Sequence, residues 1–349
     1  MSFPASSVMI RAGAVVMALG LALTGAAAED VPEVSFAQEP GGVRIAIAGK
    51  PFAVYVYQDD VIPRPYFCDV RAPSGTQVTR NHPPVMGQDI DDHPTYHPGI
   101  WLAFGDISGA DFWRNTATVR HGGFVHEPKG GPGEGAFTVR NVYLDASGTE
   151  TCQEVCRYTV LVRPEGYLLA CDSEFSSDDR DFAFGDQEEM GLGVRVATPL
   201  AVKKGGSIVN SDGLRNESEA WGKQALWCDY SGEIDGRRVG ITVIPDPGNF
   251  RRSWFHARDY GLLLANPFGR NAFTGGEKSA VAVKRGERFR LRFGVFVYSV
   301  RGTNGDVSEA GYRDYLQLAK GVPSILGGAR VEGVAETSAE EVEREEGER

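Results

Sequence analysis

Short runs in which apolar and polar residues alternate extend over most of the chain. The clearest run is R-F-R-L-R-F-G-V-F-V-Y at residues 288–298, whose first apolar side chains would share one face of a strand. Predicted strands occupy Val43–Ala48, Phe52–Tyr57, Phe137–Leu144, Cys156–Val162, Tyr167–Phe175, Gly193–Val196, Arg238–Ile244, Tyr260–Ala265 and Phe289–Val300. Only Ala310–Lys320 has the spacing of a helix with one apolar side.

Turn residues separate these runs throughout. The 349 residues include 44 glycines and 19 prolines, a density that favours an all-β architecture over alternating βα units. We find no internal repeat. The pattern predicts an all-β fold, a single large antiparallel β-sandwich over residues 29–326, with one short C-terminal helix.

The two ends differ from this body. Arg11, the apolar stretch 12–23 and the small residues 26–28 are typical of a signal peptide at 1–28, so we expect a periplasmic or extracellular protein. No other segment approaches the roughly 20 apolar residues of a membrane span, and none is expected in the mature chain. Residues 327–349 are acidic and predict a disordered tail.

Composition narrows the partners. The net charge of −11 argues against nucleic acid, whose binding proteins carry concentrated basic faces. Five cysteines leave at least one thiol free, and Cys152 and Cys156 lie about 13 Å apart if both are on one strand, too far for a disulfide. The absence of a C-x-x-C pair disfavours structural zinc.

Candidate chemistry concentrates in two loop-like segments, residues 83–115 and 249–276, because loops on a rigid scaffold commonly carry function. In the first, His93 and His97 suit proton transfer near neutral pH, or metal binding with a third ligand, and Asp92 could orient one imidazole and is a candidate for substrate binding. A histidine bonded only to loop backbone is the alternative. Four further residues are candidates for substrate binding: Trp101, Asp106, Asp111 and Trp113. The two aspartates could instead be turn residues, and the two tryptophans could instead pack in the core.

Two more groups complete the candidates. Glu188 and Glu189, close to Asp186, could form a general base, a calcium site or a solvated turn. In the second segment His256 is a candidate acid, and Arg258 and Asp259 could form a structural ion pair. Candidate substrate-binding residues there are Asn249, Trp254, Arg258 and Asp259. Asn266, before Pro267, is expected to be structural.

Four stretches resemble the PmoA-like family: residues 92–113 (D-H-P-T-Y-H-P-G-I-W-L-A-F-G-D-I-S-G-A-D-F-W), 191–197, 227–236 and 256–269. The resemblance covers about residues 45–299 and implies a sandwich similar to the galactose-mutarotase-like supersandwich. Family members commonly carry D-H-P-H-H-R-G-L-W in the first stretch, whereas here the segment is one residue longer and lacks the arginine. The methane monooxygenase subunit in the family label spans the membrane several times, so the label does not imply methane oxidation here.

The leading hypothesis is an exported carbohydrate-active enzyme with acid–base chemistry. His93, His97 or His256 would be the acid and Glu188 or Glu189 the base, for epimerisation, hydrolysis or β-elimination of a sugar or glycoside. The alternatives are a non-catalytic glycan-binding module and a metal-dependent oxidoreductase. No cofactor is predicted, a divalent metal stays open, and the expected partner is a small carbohydrate or glycan. Motifs of serine hydrolases, P-loop proteins, zincins and dinucleotide-binding enzymes are missing.

Overall fold

A computed structural model describes Met1 and residues 31–302, 306–323, 325 and 336–338. Apart from Met1 and residues 336–338, the predicted signal peptide and acidic tail lie outside the described residues. Within the described part, no helix is long and apolar enough to cross a membrane.

Strands dominate the described chain. The first ten are β1 (Glu33–Glu39), β2 (Gly42–Ile47), β3 (Lys50–Val56), β4 (Tyr66–Cys68), β5 (Ile100–Phe104), β6 (Thr118–Pro132), β7 (Glu134–Leu144), β8 (Glu150–Val162), β9 (Gly166–Ser176) and β10 (Phe182–Phe184). The others are β11 (Met190–Arg195), β12 (Ser207–Asn210), β13 (Lys223–Gln224), β14 (Cys228–Ile234), β15 (Arg237–Pro245), β16 (Trp254–Arg258), β17 (Leu262–Asn266), β18 (Ser279–Val283), β19 (Arg288–Val300) and β20 (Glu336–Ser338). The helices are α1 (Asn216–Ala220), α2 (Arg270–Thr274) and α3 (Val307–Gly321), with 3₁₀ turns at Thr198–Leu200 and Val202–Lys204.

Antiparallel pairing arranges most strands in two sheets. The front sheet has the order β1-β2-β3-β4-β5-β11-β17-β16-β13. The back sheet has the order β12-β14-β15-β19-β9-β8-β7-β6, and a β1–β6 pairing joins the two. A small separate sheet contains β10, β18 and β20. The predicted all-β antiparallel sandwich is confirmed.

The main core lies between the two sheets. Alternate residues of the front strands, such as Tyr55, Phe104 and Val194, share one buried cluster with Val139 and Phe293 of the back sheet. Because side chains alternate across a strand, both sheets also present an outer face. What covers these outer faces distinguishes the two sides of the molecule.

Helix α3 covers the outer face of the back sheet. Tyr312 and Tyr315 of the helix form a second cluster with Leu168 and Phe296 of the sheet. The carboxylate of Asp306 caps the helix by accepting a hydrogen bond from the Glu309 N–H at 3.2 Å. The predicted C-terminal helix is confirmed and begins three residues earlier than expected.

Loops cover the outer face of the front sheet. Trp101 and Leu264 of the sheet form a third cluster with Trp113 from the loop that follows β5. Gly193 makes this packing possible, because a Cβ at that position would lie 2.7 Å from the Trp101 ring. This loop-covered outer face carries most of the predicted functional residues.

The nine predicted strands all overlap observed strands. The two segments described as loop-like, however, contain β5, β16 and α2 in addition to β17, which was predicted. Strands β5 (I-W-L-A-F) and β16 (W-F-H-A-R) are covered on both faces and so lack simple alternation. Strand β6 was also missed, because its glycines and polar residues obscure the pattern. All five cysteines are buried free thiols, so Cys152 and Cys156 are not bonded to each other, as expected.

Candidate functional site

Buried Arg80 fixes the loop that leads into β5. Its guanidinium donates hydrogen bonds to the carbonyl oxygens of Ile90 (2.7 Å), Asp92 (2.6 Å), His93 (3.2 Å) and His97 (3.1 Å). The side chain is 1% exposed. One charged side chain therefore holds four backbone carbonyl groups of this loop at once.

His97 is a buried neutral side chain. Arg195 forms an ion pair with Asp92 and places its Nη1 atom 3.2 Å from Nδ1 of His97. Burial, and then the charge of Arg195, hold the pKa of His97 well below its usual value. An imidazole that receives a hydrogen bond from a guanidinium has no proton to give at that nitrogen, which corrects the expectation that His97 is an acid near neutral pH.

His93 is the accessible histidine of this loop. Its side chain is 45% exposed, and its Nδ1 atom lies 3.3 Å from Oδ2 of Asp92. The ring stacks on His97 at 4.8 Å and runs nearly parallel to the Tyr260 ring at 5.8 Å. A carboxylate that orients an exposed imidazole is a suitable arrangement for proton transfer.

Tyr260 links this histidine loop to the next part of the site. It lies in the turn between β16 and β17, with the guanidinium carbon of Arg195 4.7 Å and that of Arg258 5.9 Å from its ring centroid. Burial raises the pKa of Tyr260 to about 12, although the two arginines act in the opposite direction. The phenol is therefore neutral and lies among cations.

Glu188 and His256 meet on the same outer face. Oε2 of Glu188 lies 3.6 Å from Nδ1 of His256, just beyond hydrogen-bonding distance. Burial, and then the charge of Arg258, lower the pKa of His256 to about 4, so the pair is not an ion pair at neutral pH. His256 is 4% exposed and, like His97, is not an acid near neutral pH.

Glu188 is the accessible partner of this pair. Its side chain is 40% exposed. Burial, and then the neighbouring Glu189, raise its pKa, while Arg258 and Arg114 oppose the shift. A carboxylate with a raised pKa is suited to accept and return a proton.

Asn266 holds the backbone beside Glu188. Its amide nitrogen donates to the carbonyl oxygens of Gln187 (2.7 Å) and Glu188 (2.9 Å), and its amide oxygen accepts from the N–H groups of Phe268 and Gly269. The structural role expected for Asn266 is confirmed, and it places Glu188.

Asp186 has a capping role. Its carboxylate accepts hydrogen bonds from the N–H groups of Asn271 (2.9 Å) and Ala272 (3.2 Å) at the start of α2. It also accepts from Ser279, and it is 7% exposed. Among the described residues, no group of three or more His, Cys, Asp or Glu side chains is arranged to hold a metal ion.

Glu189 is held in an ion pair. Its Oε2 atom lies 2.6 Å from Nη2 of Arg114, whose Nη1 atom lies 2.9 Å from Oδ2 of Asp111. Asp111 also accepts from the N–H groups of Trp113 and Arg114, in agreement with its expected turn role. Pairing with arginine makes Glu189 a weaker candidate base than Glu188.

Glu217 of α1 connects that helix to the turn after β16. Its N–H donates to Oδ1 of Asp259 and its Oε2 accepts from the Asp259 N–H, each at 2.9 Å. Its Oε1 lies 3.3 Å from Nε of Arg258. Arg258 and Asp259 therefore pair with Glu217 instead of with each other. Asp259 has a structural role where substrate binding was expected.

Two aromatic residues that the sequence analysis missed stand beside His256. Trp221, just after α1, lies 6.4 Å from the His256 ring, and Phe273 of α2 lies 6.1 Å from it. Both are partly exposed. Isolated aromatic residues next to short helices give no periodic signal, so nothing in the sequence pattern marked them.

Five expected substrate contacts either bond to the protein's own backbone or are buried. Asn249 exchanges two hydrogen bonds with the backbone of Arg292, and Asp106 accepts from the Gly109 N–H in a turn. Trp101 and Trp113 are each 2% exposed and Trp254 is 8% exposed. The three indoles support the site from below, because buried rings offer no face to a sugar.

Strand register gives the scale of the site. Trp101, Gly193, Leu264 and His256 are successive partners on β5, β11, β17 and β16. Three interstrand spacings of about 4.8 Å separate the ends of this row by roughly 14 Å. His97, which stacks on Trp101 at 5.2 Å, and His256 are therefore on one face but are not direct partners.

Comparisons with solved structures give low similarity. A GH36 alpha-galactosidase from Geobacillus stearothermophilus is 13% identical with a TM-score of 0.40, over 77% of this chain and 41% of that one. A galactose mutarotase-like protein from Lactobacillus casei is 10% identical with a TM-score of 0.31, over 76% and 100%. This chain thus matches less than half the length of the galactosidase.

Comparison with sequences is more decisive. No curated protein matches. A family model described as "Family of unknown function (DUF6807)" matches residues 42–310, more than three quarters of the chain. The chain therefore belongs to the DUF6807 family, whose function is unknown.

Proposed function

We propose that this protein is a carbohydrate-active enzyme in which His93 donates a proton and Glu188 accepts one. One observation carries the proposal. Two accessible titratable side chains occur on one sheet face, each beside a fixed partner, Asp92 for His93 and His256 for Glu188. Tyr260, whose ring lies 5.8 Å from the His93 ring, and Arg258, whose charge acts on Glu188, would supply a ring and a cation for a polar ligand.

Epimerisation at a hemiacetal carbon, the free anomeric carbon of a sugar, makes the smallest demand on this pair. His93 as imidazolium would protonate the ring oxygen while Glu188 removes the proton of the anomeric hydroxyl, so that the ring C–O bond breaks and a carbonyl forms. Reclosure on the other face returns both protons. Hydrolysis would need a positioned water in addition, and β-elimination would need removal of a proton from carbon.

A proton NMR time course tests the proposal. The purified protein is incubated with mono- and disaccharides, including 3-keto glycosides, and new anomeric or enone signals are followed. We expect His93→Gln and Glu188→Gln each to lower kcat by at least about 10²-fold, the usual contribution of a general acid or base. His126→Gln and Glu165→Gln, on exposed residues of β6 and of the β8–β9 turn, serve as matched controls and should change kcat less than about twofold.

Turnover that survives in both site variants would refute the assignment. Saturation transfer from a sugar without conversion would instead favour the glycan-binding module, for which the partly exposed Trp221 and Phe273 are suitable contacts. Export and the PmoA-like relationship remain proposals from the sequence. N-terminal sequencing of the protein from the periplasm or medium tests export, because cleavage after residue 28 would leave Glu29 first.

A further inference from the structure

We propose a second sugar-binding subsite at Trp221, Phe273 and His256, so that the preferred substrate is a neutral glycoside with at least two rings. The inference rests on the proposed function, because it takes the first ring to bind between His93 and Glu188. It assigns the substrate class that the acid–base pair alone leaves open.

The three rings form an aromatic corner. Trp221 and Phe273 lie 5.5 Å apart at 67°, and each meets the His256 ring nearly edge-on, at 81° and 89°. Trp221 is partly exposed, whereas the other four tryptophans are only 2–8% exposed. A partly exposed indole that meets a second ring at a steep angle suits the apolar C–H face of a pyranose.

Unpaired polar atoms occur at the same corner. Within the described part of the chain, Nε1 of Trp221 is buried without a hydrogen-bond partner, and Nδ1 of His256 is buried with the Glu188 carboxylate 3.6 Å away, beyond hydrogen-bonding distance. Burying such groups unpaired is costly, and ligand hydroxyls, which both donate and accept, would pair with either one. His256, whose side chain is 6% exposed, thus has a binding role consistent with its neutral state.

The distance along the sheet supports two rings. The row from Trp101, below the histidine loop, to His256 spans roughly 14 Å, which exceeds the width of one pyranose ring. A ring placed at Tyr260 and Glu188 would meet the corner at His256, 3.6 Å from the Glu188 carboxylate, and a second ring would continue from there onto Trp221 and Phe273. Glu189 pairs with Arg114 and Glu217 pairs with Arg258, so these charged side chains already have partners within the protein. This pairing favours a neutral ligand over a charged one.

The corner is also firmly held. Glu217 and Asp259 tie α1 to the β16–β17 turn, and Asp186 caps α2. The Phe273 ring packs on Gly269, where a Cβ would lie 2.6 Å from it. A fixed aromatic wall loses little entropy when a sugar binds.

Intrinsic fluorescence of the whole protein tests the inference. Cellobiose, maltose, lactose and melibiose are titrated against wild type and Trp221→Ala, with glucose and galactose as single-ring probes. We expect at least one disaccharide to alter the emission and to bind about tenfold more weakly to Trp221→Ala, while the single-ring sugars bind both proteins equally. Trp221→Phe should recover part of the affinity, and Phe124→Ala, on partly buried Phe124 of β6, is the control and should leave it unchanged.

Three results would overturn the subsite. These are no response to any disaccharide, equal affinity for one and two rings, and an equal loss for both in Trp221→Ala despite an unchanged melting temperature. The proposed function fails separately, because disaccharide binding without conversion would leave the subsite standing. Conversion of single sugars as efficient as that of disaccharides would leave the function standing and remove the subsite.

Discussion

At the scale of single residues, three buried arginines hold the loops of the site in place. Arg64, Arg80 and Arg195 are 0–3% exposed, and Arg64 donates to the carbonyl oxygens of Trp113 (2.9 Å) and Tyr96 (2.6 Å). Burial lowers the pKa of Arg64 to about 9 and that of Arg80 to about 10. Both remain charged at neutral pH, so the loops gain fixed, charge-assisted hydrogen bonds in exchange for the cost of desolvation.

The buried histidines predict how stability depends on pH. The folded pKa of His256 is about 4, below the unfolded value near 6.5, so the unfolded chain binds more protons between these values. The contribution of neutral His256 to stability is therefore complete above about pH 6.5 and decreases as the pH falls towards 4. His256 alone should cost about 2 kcal/mol of unfolding free energy between pH 7 and pH 5, and His97 acts in the same direction.

Urea denaturation at pH 7 and pH 5 measures this loss. In His256→Gln the loss should be about 2 kcal/mol smaller than in wild type, because that variant has no proton to bind at this position. His126→Gln, on the exposed edge of β6, should show the wild-type dependence. An identical pH dependence in wild type and His256→Gln would mean that His256 is not held neutral by the fold.

At the scale of elements, the end of β17 positions the start of β11. Asn266 closes β17 and holds the carbonyl oxygens of Gln187 and Glu188, just before β11 begins at Met190. Asn266→Ala should lower the unfolding free energy by about 3 kcal/mol, because it leaves buried donors and acceptors unpaired. It should also lower kcat at least tenfold by freeing Glu188, as measured by urea denaturation and the NMR assay.

Asn249→Ala is the matched control. Asn249 also bonds to backbone, at Arg292 of β19, through both atoms of its side-chain amide. It should lose stability and keep its kcat. If both variants lost stability and neither lost kcat, Asn266 would hold the fold without placing Glu188.

At the scale of the whole molecule, helix α3 covers the outer face of the back sheet and loops cover the outer face of the front sheet. Tyr315 of α3 packs on Gly294 of β19, and its hydroxyl donates to Oδ2 of Asp246 at 2.9 Å. Tyr315→Ala should lower the unfolding free energy by about 3–5 kcal/mol, and Tyr315→Phe by about 1–2 kcal/mol, since only the hydrogen bond is lost. Urea denaturation of the two variants checks this; equal losses would mean that the ring contributes no packing.

Much of the fold could be predicted because strand alternation is a local signal. Strands β7, β8, β9 and β19 were recognised from their own residues, whereas β5 and β16 were not, since burial on both faces removes the alternation. Site prediction had a similar limit. His93 and Glu188 were identified by residue type and neighbours, but Trp221, Phe273 and Tyr260 join them only through the pairing of β16 with β17 and through two short helices.

The sequence alone determined the β-rich fold class, the C-terminal helix and the residue types available for chemistry, because alternation and composition are properties of neighbouring positions. The tertiary structure decided which of those residues are accessible and charged. His97 is neutral because it is buried and because the charge of Arg195, 98 positions away, lies against it, and His256 is neutral because the sheet and two helices enclose it. Exposure and protonation depend on contacts between distant segments, and those contacts exist only in the folded sandwich.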